Sequence, residues 1–221
     1  MIDMFRQISA EFLIGYSTLF SIINPIGSAF VFLEMCHWVP DTEQRALATR
    51  IALYTMLVLI VSLIAGSWIL RFFGITLPAL RIAGGFAVAM AGWRMLNAPA
   101  KTVPREAMDR VPVMTLAFFP LTIPLTAGPG SISAAIALGA HRSSMGHGFL
   151  LGVVSSSLVA LAIAVTVYLA YRHSATVARL IGPEGTRVVT RLSAFLLLCV
   201  GVQIMLTGVT IAIQSALDGA A

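Results

Sequence analysis

The sequence predicts an all-α integral membrane protein with six transmembrane helices, arranged as two inverted three-helix repeats. Three observations lead to this fold class: an apolar composition, six long stretches with little charge, and two pairs of similar segments far apart in the chain. Hydrophobic residues make up 58% of the 221 residues and charged residues only 10%, and the mean hydropathy is +0.94. A soluble domain carries about 25% charged residues, so a soluble enzyme or binding protein is excluded.

Six stretches are long enough to cross a bilayer, which takes about 20 residues of helix. They occupy residues 12–33, 51–70, 80–96, 111–140, 146–171 and 192–217. Because they are too long for strands and lack alternation of apolar and polar residues, we predict helices. The chain then divides into a first repeat at 1–97, a cytoplasmic connecting loop at 98–110 and a second repeat at 111–221.

The basic residues predict the orientation in the membrane, because cytoplasmic loops are enriched in Lys and Arg. If the two termini share one side, that side carries four of the 14 Lys and Arg residues and the other side carries ten. The side with ten should be cytoplasmic, so both termini are expected in the periplasm. The basic pI of 9.9 then reports this orientation and not a nucleic-acid partner.

Two pairs of segments indicate an internal repeat. Residues 81–96 align without a gap on residues 191–206, and residues 24–28 correspond to residues 128–131. Each repeat would hold three spans, an odd number, so the second copy would be inserted upside down. Inverted repeats of this kind are typical of secondary transporters.

Each predicted repeat contains a proline beside glycine inside its first apolar stretch. The two elements are Asn24, Pro25, Ile26, Gly27 and Ser28, and Gly128, Pro129, Gly130 and Ser131. Proline cannot donate a backbone hydrogen bond and clashes with the preceding turn, so we predict broken first and fourth helices. A restarted helix presents free N–H groups that suit a carboxylate, and the freed carbonyl groups suit an ammonium group. We therefore predict a binding site for a small zwitterion here; a kink that serves only helix packing is the alternative.

Three motifs resemble the signatures of the MarC family of small bacterial inner-membrane proteins. They are Asn-Pro-Ile-Gly at 24–27, Leu-Arg-Ile-Ala-Gly-Gly at 80–85, and Pro-Leu-Thr-Ile-Pro-Leu-Thr-Ala-Gly-Pro-Gly at 120–130. Residues 195–203 also resemble the last span of that family. The resemblance covers nearly the whole chain and implies a six-helix protein related to amino-acid exporters. It further implies small neutral amino acids, such as glycine and alanine, as substrates of some relatives.

The sequence departs from the family pattern at one position. Many members have Asp before the first proline, where this chain has Asn24. A carboxylate that would bind a proton or a cation is therefore absent there, and the coupling ion stays open.

Four further side chains are candidates for the site. Arg81 and Arg191 can each hold a carboxylate through two hydrogen bonds, or extend to the membrane interface. Glu34 is flanked by apolar residues and is either a proton carrier or an interfacial charge. Gln203 lies in the middle of the sixth stretch, where its amide would join two helices or contact a ligand.

The predicted function is secondary transport, with export included, of small neutral amino acids or similar small polar metabolites across the bacterial inner membrane. The alternative is a non-transporting, stress-linked membrane accessory protein. The sequence contains no nucleotide-binding or catalytic motif, so we expect no enzyme activity, no cofactor and no metal. The expected partners are the lipid bilayer and a small-molecule substrate, and a homo-oligomer stays open.

Cys36 and Cys199 are expected to be small buried hydrophobic residues.

Overall fold

The computed structural model describes residues 2–36, 38–97, 112–144 and 149–218, and every regular element in these ranges is helical. The α-helices are α1 (Ile2–Ile23), α2 (Pro25–Met35), α3 (Asp41–Phe72), α4 (Leu77–Asn97), α5 (Pro129–Ser144) and α6 (Phe149–Asp218). Between α4 and α5 lie a 3₁₀ segment, Val113–Ala117, and a wider π-type segment, Phe118–Thr126. The connecting loop at 98–110 falls outside the described residues.

Several helices have the length and apolarity to cross a membrane, which confirms the all-α membrane class. Within the described ranges they are Ile8–Leu33, Asp41–Phe72, Gly152–Gly182 and Glu184–Leu217, and the bent pair Val113–Thr126 and Pro129–Ala140 adds a fifth if it counts as one span. The third predicted span, α4, is not among them. We call Gly152–Gly182 the first arm of α6 and Glu184–Leu217 its second arm.

The chain reverses direction between the two arms of α6, at Gly182. The Thr166 hydroxyl of the first arm bonds to Tyr16 of α1 at 3.0 Å, while Thr207 of the second arm lines a cavity together with Thr18. If α6 were straight, Thr166 and Thr207 would be about 60 Å apart. Since both lie beside neighbouring turns of α1, α6 must reverse direction between them. The reversal occurs at Gly182, whose φ of 71° is a conformation that side chains with a Cβ resist.

Helix α4 and the second arm pack with their backbones in contact. A Cβ atom at Gly85 would lie 2.7 Å from the Gly201 carbonyl oxygen, and one at Gly92 would lie 2.5 Å from the Leu198 nitrogen. At the other end, a Cβ atom at Gly208 would lie 3.0 Å from the Pro78 carbonyl oxygen. Residues early in α4 therefore meet residues late in the second arm, so the two helices are antiparallel. Glycine allows this close approach, as in other membrane-helix pairs.

Helix α5 lies between α3 and α4. Its Gly139 is so close to the Leu63 carbonyl of α3 that no Cβ atom would fit, and Gly66 of α3 meets the Ile136 side chain in the same way. On the opposite side, Ser133 of α5 fills the space beside Gly84 of α4. These contacts fix the position of the α5 N-terminus relative to α4.

The two predicted breaks differ in geometry. The segments on either side of the second break, Val113–Thr126 and Pro129–Ala140, are bent by 67°. Phe119 and Ile123 have non-helical backbone angles because each precedes a proline, whose ring disfavours the helical region for the residue before it. The first break is confined to Asn24, which has φ 47° and ψ 62°, and the span Ile8–Leu33 continues across it.

The two cysteines have opposite environments. Cys36 is 1% exposed, as predicted, and burial raises the pKa of its thiol to about 12. Its thiol therefore stays protonated and unreactive near neutral pH. The expectation of burial was wrong for Cys199, which is exposed because it faces away from α4.

We expect Gly85→Ala to destabilise the folded chain by about 1–3 kcal/mol, because its Cβ atom would meet backbone atoms that cannot move aside. The matched control is Gly152→Ala, since a Cβ atom at Gly152 has nothing within 4 Å. That variant should be neutral or slightly more stable, because alanine favours helix over glycine. Thermal unfolding in detergent measures both, and equal midpoints would contradict the proposed tight contact.

Candidate functional site

The second break lines a cavity of about 390 Å³, which we call the Arg94 cavity. The predicted residues Gly128, Pro129, Gly130 and Ser131 all contribute to its wall, together with Thr126 and Arg94. This volume is near the lower end of the range of about 300–1,000 Å³ that is typical of small-molecule sites. The cavity is therefore large enough for a small metabolite.

The N-terminus of α5 offers unused donors in this cavity. The first bond of the regular helical pattern runs from the Ile132 N–H to the Gly128 carbonyl at 3.1 Å. The N–H groups of Gly130 and Ser131 precede that bond, so they have no acceptor within the helix. The Ser131 hydroxyl donates to the same Gly128 carbonyl at 2.9 Å. The positive end of the helix dipole thus lies at the cavity wall.

Arg94 brings a full positive charge to the same cavity. It lies near the end of α4 and is exposed, so its side chain has room to extend over the opening. Sequence reasoning missed this residue because it adjoins the charged loop at 98–110 and resembles an ordinary interfacial arginine. No local signal distinguishes it, since its role depends on the contact between α4 and α5.

A second cavity of about 370 Å³ contains the predicted residue Arg81, and we call it the Arg81 cavity. Its wall also includes Thr18, Ile22, Ser133 and Thr207. Arg81 and Arg94 are separated by 13 positions, which is about 20 Å along a helix axis. The two cavities therefore lie at different levels along α4, and each contains one arginine.

The walls of the two cavities share one residue, Ile22 of α1. Gly130 and Val88, in the wall of the Arg94 cavity, pack directly against each other, and Ser133, in the wall of the Arg81 cavity, packs against Gly84. We call Ile22 and these two contacts of α5 with α4 the barrier.

The first break does not line either cavity, contrary to the prediction that both breaks form one site wall. The Asn24 side chain accepts a hydrogen bond from the Gly27 N–H at 3.2 Å and donates to the Ser193 carbonyl at 3.3 Å. Gly27 is buried against Ser193, Pro25 is buried and Ile26 is exposed. Asn24 therefore caps α2 and attaches it to the second arm of α6.

A buried tyrosine nevertheless connects the two breaks. Tyr171 is 2% exposed, and its hydroxyl bonds to Thr126 at 2.7 Å. The Thr126 hydroxyl donates to the Leu121 carbonyl at 2.7 Å, and the Ser28 hydroxyl, which lies beside the same Tyr171 hydroxyl, donates to the Ile23 carbonyl at 2.8 Å. The single Tyr171 proton can therefore be donated to either the Thr126 or the Ser28 oxygen. The first break thereby contacts the end of the irregular segment that precedes the second.

The remaining predicted residues lie elsewhere. Arg191 is exposed and is not part of either cavity wall described above. Gln203 is also exposed, so the expectation that its amide joins two helices within the chain was wrong. Glu34 belongs to α2, but its side chain falls outside the described part of the structure. Among the residues described, no group of three His, Cys, Asp or Glu could hold a metal ion.

Comparison with known proteins places the chain in one group. A family described as "MarC family integral membrane protein" matches residues 9–213. The chain is 32% identical to the UPF0056 inner membrane protein MarC of Citrobacter koseri, over 95% of this chain and 96% of that protein, and 34% identical to the protein of the same name in Salmonella arizonae, with the same coverage. The UPF0056 membrane protein MJ1677 of Methanocaldococcus jannaschii is 34% identical over 90% of this chain and 95% of its own length. No solved structure matches the chain.

We expect Tyr171→Phe to destabilise the protein by about 0.5–1.5 kcal/mol, because it removes a buried hydrogen bond while the Thr126 and Ser28 hydroxyls keep their carbonyl acceptors. Tyr168→Phe is the control, since the Tyr168 hydroxyl contacts the exposed Arg172 and its loss should cost less than about 0.5 kcal/mol. Unfolding by titration with a denaturing detergent measures both variants. Equal stability of the two would show that the link between the breaks is unimportant.

Proposed function

The chain belongs to the MarC family of integral membrane proteins, and on that basis we propose that it is a secondary transporter of the bacterial inner membrane. Its proposed substrates are small neutral amino acids or similar small polar metabolites, and the proposed direction includes export. The observation that carries the proposal is the pair of arginine-containing cavities at two levels of α4, whose walls share Ile22.

The chemistry of the Arg94 cavity suits the carboxylate of an amino acid. The free N–H groups of Gly130 and Ser131 and the guanidinium of Arg94 can all donate to one carboxylate. The Thr126 hydroxyl and the carbonyl groups of the irregular segment supply acceptors for the ammonium group. The helix N-terminus can contribute up to about 2 kcal/mol in a partly buried geometry, and the arginine contact about 1.5–3 kcal/mol.

The barrier between the cavities fits an alternating-access mechanism. A carrier must expose its site to one side at a time, commonly by movement of one helical unit against another. Here the movement would separate Gly130 from Val88 and displace Ile22, which opens one cavity into the other. Arg81 would then receive the carboxylate at the second level. The substrate's own gradient or an ion gradient would supply the energy.

We also propose that residues 1–97 and 111–221 are inverted repeats joined by the loop at 98–110, with α4 as the third of six spans. The antiparallel contact of α4 with the second arm supports this arrangement. The offset of 110 positions between the repeats pairs Val88 with Leu198. Gly85 and Gly201, which contact each other, lie three positions before Val88 and three positions after Leu198. This symmetric spacing is what a two-fold axis at that pair requires. A two-fold axis in the membrane plane, passing between Val88 and Leu198, would relate the two helices.

The proposed orientation places both termini in the periplasm. A reporter that is active only in the cytoplasm, fused after Ala221, should therefore be silent. The same reporter inserted in the loop at 98–110 should be active, which controls for expression. Activity of the fusion after Ala221 would reverse the orientation.

We expect Arg94→Gln to raise the apparent KM for glycine or alanine about 10- to 100-fold, because it removes a charge-assisted hydrogen bond to the carboxylate. Counterflow in proteoliposomes that contain the purified chain measures the effect, and Arg94→Lys should lose less because it keeps the charge. Arg191→Gln is the control, since Arg191 is exposed and outside both cavity walls. A larger side chain at Gly130 is a poorer test, because it would overlap Val88.

Two results would contradict the proposal at different levels. If the wild-type chain carries no member of an amino-acid panel, the accessory-protein alternative is favoured. If the wild type transports and Arg94→Gln has an unchanged KM, the transporter function holds but the Arg94 cavity is not its site.

A further inference from the structure

A small polar cleft lies where the start of α3 meets the end of the first arm of α6, and we call it the Arg45 cleft. Its volume is about 40 Å³, and its wall includes Asp41, Gln44 and Arg45 of α3 together with Arg172 and Arg179 of the first arm. It shares no wall residue with the two larger cavities described above. The cleft is therefore a separate site.

Positive charge converges on this cleft from two helices. Arg172 and Arg179 are seven positions apart, which places them on one face of the first arm, two turns from each other, and Arg45 joins them from α3. The carboxylate in the wall, Asp41, belongs to the first turn of α3, where the helix dipole already favours a negative charge. Within the described residues none of the three arginines forms an ion pair. Their mutual repulsion would be relieved by an anion in the cleft.

The three guanidinium groups keep most of their donors. Arg172 donates to the Tyr168 hydroxyl and lies over its ring, 5.5 Å from the centroid. The Arg179 Nε donates to the Ala175 carbonyl at 3.3 Å. Each guanidinium has five N–H groups, so at least four remain on each. Two parallel N–H groups of arginine match the spacing of two phosphate oxygens.

Both sides of the cleft are held by hydrogen bonds of the fold. The Gln44 amide of α3 donates to the carbonyls of Cys36 and Val39 at 2.9 and 2.8 Å, which fastens the preceding link to the start of the helix. On the other side, the wall includes Tyr171, which is buried and bonds to Thr126. The cleft is therefore formed before a ligand binds.

The depth of the cleft matches the layer of lipid phosphates. Arg45 precedes the apolar stretch 51–70 by six positions, about 9 Å along a helix. Arg172 directly follows the stretch 146–171, and Arg179 lies about 10 Å beyond it. The headgroup layer extends roughly 5–8 Å from the hydrocarbon on each side of a bilayer. The three arginines thus bracket that layer, and basic pockets between membrane helices are suited to anionic lipid headgroups.

We propose that the Arg45 cleft binds a phosphate group, and that this group is the headgroup phosphate of an anionic phospholipid. A volume of 40 Å³ has room for about three water molecules, so it admits a phosphate group but not a whole metabolite. The acyl chains would lie along Val165 and Leu169, which are exposed and precede Arg172 by two turns and one turn on the same face. The inference is independent of the transport function.

The test measures lipid binding to the purified full chain in detergent. Phosphatidylglycerol is titrated, and native mass spectrometry gives the dissociation constant of the first bound lipid. Arg45→Gln/Arg179→Gln should raise that constant about 10- to 100-fold, because each arginine near a membrane surface contributes about fivefold. Arg45→Lys/Arg179→Lys, which keeps both charges, should recover most of the affinity.

The matched control is Arg50→Gln/Arg187→Gln, which removes the same charge from two exposed positions outside the wall. Its dissociation constant should stay within about threefold of the wild type. Arg45 and Arg179 are also exposed, so both double variants should unfold at the wild-type temperature in lipid-free detergent. That measurement separates lost binding from lost folding.

Three results would overturn the proposal. The first is equal weakening by the two double variants, which would assign binding to net charge and not to the cleft. The second is phosphatidylglycerol binding no tighter than phosphatidylcholine. The third is stabilisation by inorganic phosphate and not by phosphatidylglycerol, lost in Arg45→Gln/Arg179→Gln, which would make the source a soluble phosphate and not a lipid.

Discussion

The structure depends on one constraint: a backbone polar group inside a membrane must find a partner within the protein. At the proline breaks in the described residues, a nearby hydroxyl donates a hydrogen bond to a backbone carbonyl of the preceding turn. Ser28, Thr122 and Thr126 each donate to the carbonyl five positions earlier, at distances of 2.6–2.8 Å. Asn24 does the same for the start of α2, because its side chain accepts from the Gly27 N–H. These side chains therefore satisfy several of the backbone groups that the breaks leave unpaired.

The same constraint identifies backbone groups that have no hydrogen-bond partner within their helix. The N–H groups of Gly130 and Ser131 have no acceptor within α5, and they lie at the wall of a cavity that also contains Arg94. A site that offers donors and a positive charge is suited to an anionic group. The exposed Gln203 amide also forms no hydrogen bond within the described residues, and it lies one turn before Thr207 of the Arg81 cavity. Thus these groups, which lack a partner within the described chain, lie at or near the two cavities.

Glycine packing controls how these regions relate to each other. The contacts of α4 with the second arm bring backbones together, and interfaces of this kind are rigid because no side chain can yield. The contacts of α4 with α5 are different, because the Val88 and Ser133 side chains lie directly against Gly130 and Gly84. The proposed transport would need these side chains and Ile22 to move apart, which a shift of α5 relative to α4 would achieve.

The sequence by itself determined the membrane class, the helical content, the positions of the proline breaks and the family. These properties are local: the length of an apolar stretch, the missing N–H of proline and a short motif do not depend on distant contacts. The tertiary structure decided that the second break lines a cavity while Asn24 is used in capping, that Arg94 joins the site, and that Gln203 and Cys199 face outward. Each of these outcomes depends on which helix faces which, often between residues more than 100 positions apart, as with Asn24 and Ser193. Periodicity in an almost uniformly apolar helix cannot reveal that choice, because nearly every face is apolar enough to be buried.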